Sequence, residues 1–456
     1  MVKEIEIYDG KKIKVDFTKV DEYICKCFAI FLFIIYILFP DKEIGVGVVS
    51  FKNMVLIVVT VVTFITVVAS NILKGNFRIN KYFVMLGIYL VLILLSGLNS
   101  EYPKNVWFGI NGRYEGIVTL FCYFVCFYLF YKGFKYNEKI FDLVTIAVLI
   151  VSGHGILQAL LTNTEYFVSN HPYMAYSNFT NPNMFSSLLT MFLPIYLVKY
   201  FVDKKDSEYY IYVCGIIFAA LVCAKTFGGY FTFIVYFIIL SIYFLVIAKN
   251  KRKVLLKLLI LVSVFLLVFI VLNICNDFIY FEEIGINAVD IKQTASGEKV
   301  EEFGNHRMVI WKMCLDIINK YPVLGVGPDS LGDEVFRNNM DKDGNLIDKN
   351  IADKAHNEYI HVAVTTGIPS LMVYLCFIFT IVISLLLKYI KYVKDGKMLS
   401  ENAMMLVAVA SSISAYLIQA FGNISIFAVA PLFWAMLGIG AKISNKNYNG
   451  EMLEDE

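Results

Sequence analysis

Apolar runs alternate with short polar connections along most of this chain, centred near residues 31, 62, 90, 123, 150, 192, 217, 238, 267, 376, 411 and 432. Each run is about 17 to 25 residues long, the length that spans about 30 Å of hydrocarbon as helix, so the pattern predicts about twelve spans. Branched stretches such as 55–68 resemble buried strands, but open sheet edges in lipid would leave backbone groups unpaired. The expected fold is therefore an all-α polytopic membrane protein. One long hydrophilic interruption, roughly residues 281–356, breaks the alternation.

Composition agrees with that class. Of 456 residues, 58% are hydrophobic and 17% charged, and the mean hydropathy is +0.66, more than a soluble domain hides. A net charge of +2 offers no strongly basic surface, so no nucleic-acid partner is expected. The nine cysteines form no metal-type or disulfide set; Cys25, Cys27, Cys122 and Cys126 read as small apolar fillers, and no cofactor is expected.

Charge also orients the chain. Lysines gather in alternate connections (Lys74, Lys132, Lys199, Lys251, Lys388 and Lys442 with their neighbours), whereas the segment 162–182 has neither Lys nor Arg. Short basic loops stay cytoplasmic, which puts both termini inside and the long loop outside; Lys42, Lys52, Lys104, Arg113 and Lys225 are the outer exceptions. The charged first 22 residues lack a signal-peptide core, and the first helix is read as uncleaved. The expected organisation is a cytoplasmic tail over 1–22, nine helices over 23–280, an extracytoplasmic loop over 281–355, three helices over 356–441 and a second cytoplasmic tail over 442–456.

Within the loop, an amphipathic helix is expected over 308–320, with Asn305 as its N-cap and Tyr321-Pro322 as its stop. Its apolar face (Ile310, Trp311, Cys314, Leu315, Ile317, Ile318) suits the outer membrane surface. Gly325-Val326-Gly327-Pro328 and Asp341-Lys342-Asp343-Gly344-Asn345 read as turns, and His356 as the start of the next helix. Arg307 and His356 thus bracket the loop beside the membrane: one can grip phosphate, the other can move a proton. Those are the parts needed for a lipid-linked phosphorylated substrate.

Other polar residues near the spans admit two readings. His356 is either an interfacial polar group or, as is usual for ionisable groups at the membrane, functional; His361 reads first as structural. Arg113 suits headgroup anchoring or donor binding equally. Asn181 and Asn183 around Pro182 read first as a helix break, and His171-Pro172 is a reserve candidate for a base. With 38 Phe and 30 Tyr, a given ring more often packs or faces lipid than binds sugar.

Several motifs, in order, resemble the O-antigen ligase and polysaccharide polymerase family of membrane glycosyltransferases. They are Gly112-Arg113-Tyr114-Glu115-Gly116, Asn181-Pro182-Asn183, the stretch 307–327 (R-x-x-x-W, then Y-P-x-x-G-x-G) and the stretch 355–367 (A-H-N-E-Y, then T-G). The resemblance implies a lipid-dependent glycosyltransferase bundle of about twelve helices. It implies an undecaprenyl pyrophosphate-linked glycan as donor and a carbohydrate, lipid or protein as acceptor. It also implies catalytic roles for Arg307 on the donor pyrophosphate and His356 on the acceptor hydroxyl. The residues expected to bind substrate are Arg113, Lys225, Asn357, Tyr359, Asn181 and Asn183. The family's Ser-Arg-Gly element is replaced here by Lys225-Thr226-Phe227-Gly228-Gly229, and whether Lys225 substitutes for that arginine stays open, because a lysine lacks the two-pronged grip.

A pyrophosphate-linked sugar already has a good leaving group. The protein must then hold the phosphates, position a hydroxyl and take its proton. No outward pair of acids suggests a metal clamp, so a metal-independent, inverting transfer is expected. The alternative is a lipid-linked glycan transporter or flippase whose charges line a passage. Transporters commonly show related halves and midplane breaks. Here the breaks and charges cluster at the outer surface and no repeat is evident, which favours catalysis.

Overall fold

The computed structural model describes residues 2–6, 12–40, 43–44, 49–74, 80–162, 173–179, 181–203, 206–296, 303–339 and 352–445. Two short antiparallel pairs, β1 (Val2–Glu6) with β2 (Lys12–Asp16) and β3 (Glu43–Ile44) with β4 (Val49–Ser50), lie either side of α1 (Phe17–Ile30), a π-helical stretch (Phe31–Ile35) and α2 (Tyr36–Leu38). Every other regular element among the described residues is helical. In order they are α3 (Phe51–Lys74), α4 (Lys81–Leu98), α5 (Pro103–Phe108), α6 (Ile117–Gly133), α7 (Glu138–Leu160), α8 (Pro182–Val202), α9 (Ser207–Cys223), α10 (Phe227–Ile247) and α11 (Lys251–Cys275). Then come α12 (Ile279–Ala295), α13 (Phe303–Lys320), α14 (Leu331–Asn338), α15 (Glu358–Thr366), α16 (Ile368–Lys394), α17 (Glu401–Gln419) and α18 (Ala430–Ile443).

Among the described residues eight helices are long and apolar enough to cross a membrane: α3, α4, α7, α8, α10, α11, α16 and α17. The helices α6, α9 and α18 are apolar but shorter. At the centre stand α8, buried at nearly every position, and α18, packed against α6. The outer helices turn Ile65, Ile238, Leu259, Leu266 and Leu387 outward, a surface that hydrocarbon accepts and water would not. Between apolar helices in lipid, association rests on close packing and hydrogen bonds rather than on expulsion of water. Here Thr190 Oγ1 of α8 donates to Gln419 Oε1 of α17 at 2.6 Å, and Gln419 Nε2 donates to Ser186 Oγ at 2.6 Å.

The polar interruption is largely helical. It holds α12 and α14 as well as the expected α13. Helix α13 begins at Phe303, two residues before the expected cap at Asn305, and its end at Lys320 falls where the proline stop predicts. Its apolar face also differs from expectation. Cys314, Ile317 and Ile318 are buried with Val326, Leu331, Val335, Ala355, Ala363 and Val364, so this face packs on protein and not on a membrane surface; Leu315 points away and is exposed. A second sequence separation explains the miss: the partners lie up to fifty residues on.

His356 does not open a helix. Asn357 is the N-cap of α15, its Oδ1 accepting the N–H groups of Tyr359 at 3.0 Å and Ile360 at 3.1 Å. The expected continuous span from this point is broken at Gly367, whose φ of 92° ends α15 and starts α16. The break is forced by crowding, since a Cβ at Gly367 would lie 2.0 Å from the Val323 carbonyl oxygen.

Candidate active site

The site is built where α4 ends and α6 begins. There Ser100 Oγ donates to the Val326 carbonyl at 2.7 Å, and the Gly327 N–H donates to the Thr365 carbonyl at 2.8 Å, tying the 325–330 turn to α4 and α15. Across this platform runs a strap, residues 352–357. Arg113 grips its Asp353 through two donors, Nε to Oδ2 at 2.7 Å and Nη2 to Oδ1 at 3.3 Å. Lys354 is fully buried and paired with Asp329 Oδ1; the other oxygen of Asp329 accepts the N–H groups of Ile110 at 2.7 Å and Glu115 at 3.1 Å. The Ala355 carbonyl accepts the Trp311 indole N–H at 3.0 Å, which fastens α13 to the strap. Beyond Asn357, the Glu358 N–H donates to the Ala420 carbonyl at 2.9 Å.

His356 is the exception in this strap. Among the described residues its ring has no hydrogen bond or ion pair, it is half-buried, and its φ is +48°, in the left-handed region that a non-glycine residue occupies only at a cost. Its proton affinity is below the ordinary histidine value: burial disfavours the charged ring first, and the cations Arg307, Arg113 and Lys354 add to that against the opposing pull of Asp353. A neutral ring with a free nitrogen is a proton acceptor.

Arg307 comes from the start of α13. Its Nη1 lies 3.1 Å from where a Cβ on Gly422 would sit, so the guanidinium lies against bare backbone of the turn that follows α17. Among the described residues it has neither a carboxylate nor a hydrogen-bond partner, and burial pushes its pKa down; a guanidinium in that state has its fork of donors available to an anion. That turn is anchored on both sides. Asn423 Nδ2 donates to the Asn183 carbonyl at 3.1 Å and to Ser187 Oγ at 2.9 Å, and the Phe421 ring lies 4.7 Å from that of Tyr359.

The remaining candidates fall in three places. Arg113 bears on His356 but is already paired, and its carboxylate partner Asp353 is held below the usual range: burial alone would raise it, and the Arg113 guanidinium overrides that. Asn357 and Tyr359 have structural partners, the latter donating its hydroxyl to the Leu417 carbonyl at 2.7 Å. Lys225, with φ +49°, sits at the α9–α10 break in an ion pair with Glu283 of α12 at 3.3 Å. Asn181 caps α8 by accepting the Asn183 N–H at 2.8 Å, and Asn183 reaches the site through its carbonyl on Asn423. His361 lies below the strap, lining a cavity of about 60 Å³ with Glu115, Asp329, Glu358 and Tyr374. His171, Pro172 and the 341–345 turn lie outside the described residues.

Sequence reasoning passed over Asp329, Asp353, Lys354, Gln419 and Asn423. Asp353-Lys354 immediately precedes the Ala-His-Asn run, and that adjacency was the available signal; Asp329, Gln419 and Asn423 carry none, because their partners are 25 to 240 residues away.

Residues 212–375 match O-antigen ligase. No curated protein matches the chain. The O-antigen ligase segment runs from α9 into α16 and contains Lys225, Arg307, His356, Asn357 and Tyr359, while Arg113, Asn181, Asn183 and the turn after α17 lie outside it. Over that segment the chain is similar to O-antigen ligase, and the apolar helices are those of a membrane protein.

Proposed function

We propose that this protein transfers a glycan from undecaprenyl pyrophosphate to an acceptor hydroxyl at the outer face of the cytoplasmic membrane, with Arg307 binding the donor diphosphate and His356 acting as the base. The observation that supports the reading is a guanidinium at the start of α13 and an imidazole on the strap that Trp311 fastens to α13, neither of which has a hydrogen-bond or ion-pair partner among the described residues. As the acceptor oxygen attacks the anomeric carbon, its proton passes to the free nitrogen of His356. The bond from that carbon to the diphosphate oxygen breaks, and the lipid diphosphate leaves with its charge offset by Arg307. Attack from the face opposite the leaving group inverts the anomeric centre, and no metal ion is required.

In this reading Arg113 adds positive field, Lys225 becomes available to phosphate when Glu283 releases it, and Asn181, Asn183, Asn357 and Tyr359 shape the surroundings rather than gripping sugar. The 60 Å³ cavity beneath the strap has room for water but lies far below the roughly 300 Å³ of a ligand pocket, so that cavity does not hold the glycan. The acceptor is a carbohydrate, a lipid or a protein. Counting the interrupted first helix and the three shorter apolar helices with the eight long ones, the chain crosses the membrane about twelve times, both termini cytoplasmic.

The test uses purified protein in liposomes with a lipid-linked oligosaccharide. His356→Ala is expected to lower transfer by about 10²- to 10⁴-fold while the donor is still retained; unchanged transfer rules out the base. A ladder of products indicates polymerisation, and a single transfer that needs added acceptor indicates ligation. Activity is expected to survive EDTA; loss with recovery on a divalent ion contradicts the metal-free route.

A further inference from the structure

Neither the family match nor the motifs assign a role to the fully buried pair Lys354–Asp329. We propose that this pair is a positioning device for His356: it sets the place of the imidazole and, through the same carboxylate, that of the Arg113 loop. The inference rests on the reading of His356 as the base.

The geometry supports this in three steps. First, His356 stands two residues from Lys354 with φ +48°, a backbone state that persists only where the flanking residues are held from both sides. On one side Lys354 is clamped at zero exposure; on the other Asn357 caps α15 and the Glu358 N–H is bound by Ala420. Second, Asp329 uses both oxygens: Oδ1 takes Lys354, and Oδ2 takes the Ile110 and Glu115 N–H groups, which flank Arg113. A single carboxylate therefore spans the strap and the 110–115 loop. Third, Asp329 has φ +56° and follows Gly327, whose N–H is bonded to α15, so the carboxylate is itself held relative to the helix that His356 precedes.

A pair serving stability alone would be replaceable by neutral side chains of similar shape, since buried ion pairs often are. Positioning makes a different demand, because a displacement near 1 Å costs about 100-fold in rate. The experiment is steady-state transfer by the full chain in liposomes with a lipid-linked oligosaccharide, comparing wild type, Lys354→Met, the double variant Asp329→Asn/Lys354→Met, and each on a His356→Ala background. The expected result is a kcat lower by about 100-fold with donor KM within about twofold, and no further loss when the change is added to His356→Ala. Should Lys354→Met fail to fold, the neutral double variant, which keeps an acceptor for both backbone N–H groups, provides the same reading. Wild-type rates in a folded variant, a raised KM with unchanged kcat, or a full additional loss on the His356→Ala background would each overturn the proposal. An active His356→Ala protein refutes the base assignment instead, and that outcome is separate.

Discussion

A histidine that is to accept a proton must be neutral, and His356 is kept so by burial and by the cations around it. Because its pKa lies below the ordinary value near 6.5, activity is expected to rise on an acid limb below that pH and to stay flat through neutrality. Arg113→Gln removes a positive charge and frees the Asp353 carboxylate, and both changes favour the imidazolium, so the acid limb moves to higher pH. A pH–rate profile of kcat for the two proteins checks the sign; a shift toward acid, or none, contradicts it. Arg307→Lys keeps charge but loses the planar fork, and is expected to weaken donor binding by about tenfold or more, read from donor KM. At this scale the chemistry was largely legible: the types Arg307, Arg113 and His356 were visible as residues. The residues that hold their surroundings were not, because Asp329 and Asn423 are ordinary polar residues until folding sets them beside Lys354 and Asn183.

Helices and turns deliver those side chains, and two glycines control the delivery. At Gly367 an added Cβ would sit 2.0 Å from the Val323 carbonyl at a φ of 92°. Gly367→Ala is expected to destabilise the fold by about 2–3 kcal/mol or more, seen as a lower unfolding temperature in detergent. Gly422 is different: an added Cβ would meet first the guanidinium of Arg307, the far end of a flexible side chain, at 3.1 Å, with the Gln419 carbonyl next at 4.0 Å. Gly422→Ala therefore moves the arginine rather than breaking the fold, and is expected to raise donor KM while the unfolding temperature changes little. An unchanged KM would show that Arg307 does not need that resting place. The helical period correctly marked α13 as amphipathic, but periodicity reports only that a face is apolar. Whether the face meets lipid or protein depends on Val326, Leu331, Val335 and Ala363, which lie beyond the helix itself.

For the whole molecule, the proposed orientation places α13 outside and the α16–α17 connection inside. In a variant stripped of its exposed cysteines, Cys27, Cys275 and Cys376, Asp316→Cys is expected to react with a membrane-impermeant maleimide on intact cells and Lys397→Cys only after lysis. The reverse pattern overturns the orientation. The sequence by itself determined that this is a helical membrane protein, roughly where its helices run, and which arginines and histidine stand near their ends, since hydropathy length and residue chemistry are local properties of the chain. Only the tertiary structure decided that Arg307 lies against Gly422, that Lys225 is held by Glu283, and that Lys354 and Asp329 anchor the strap bearing His356. Those outcomes depend on long-range packing, where a buried charge must find a partner from whichever distant segment the fold brings alongside.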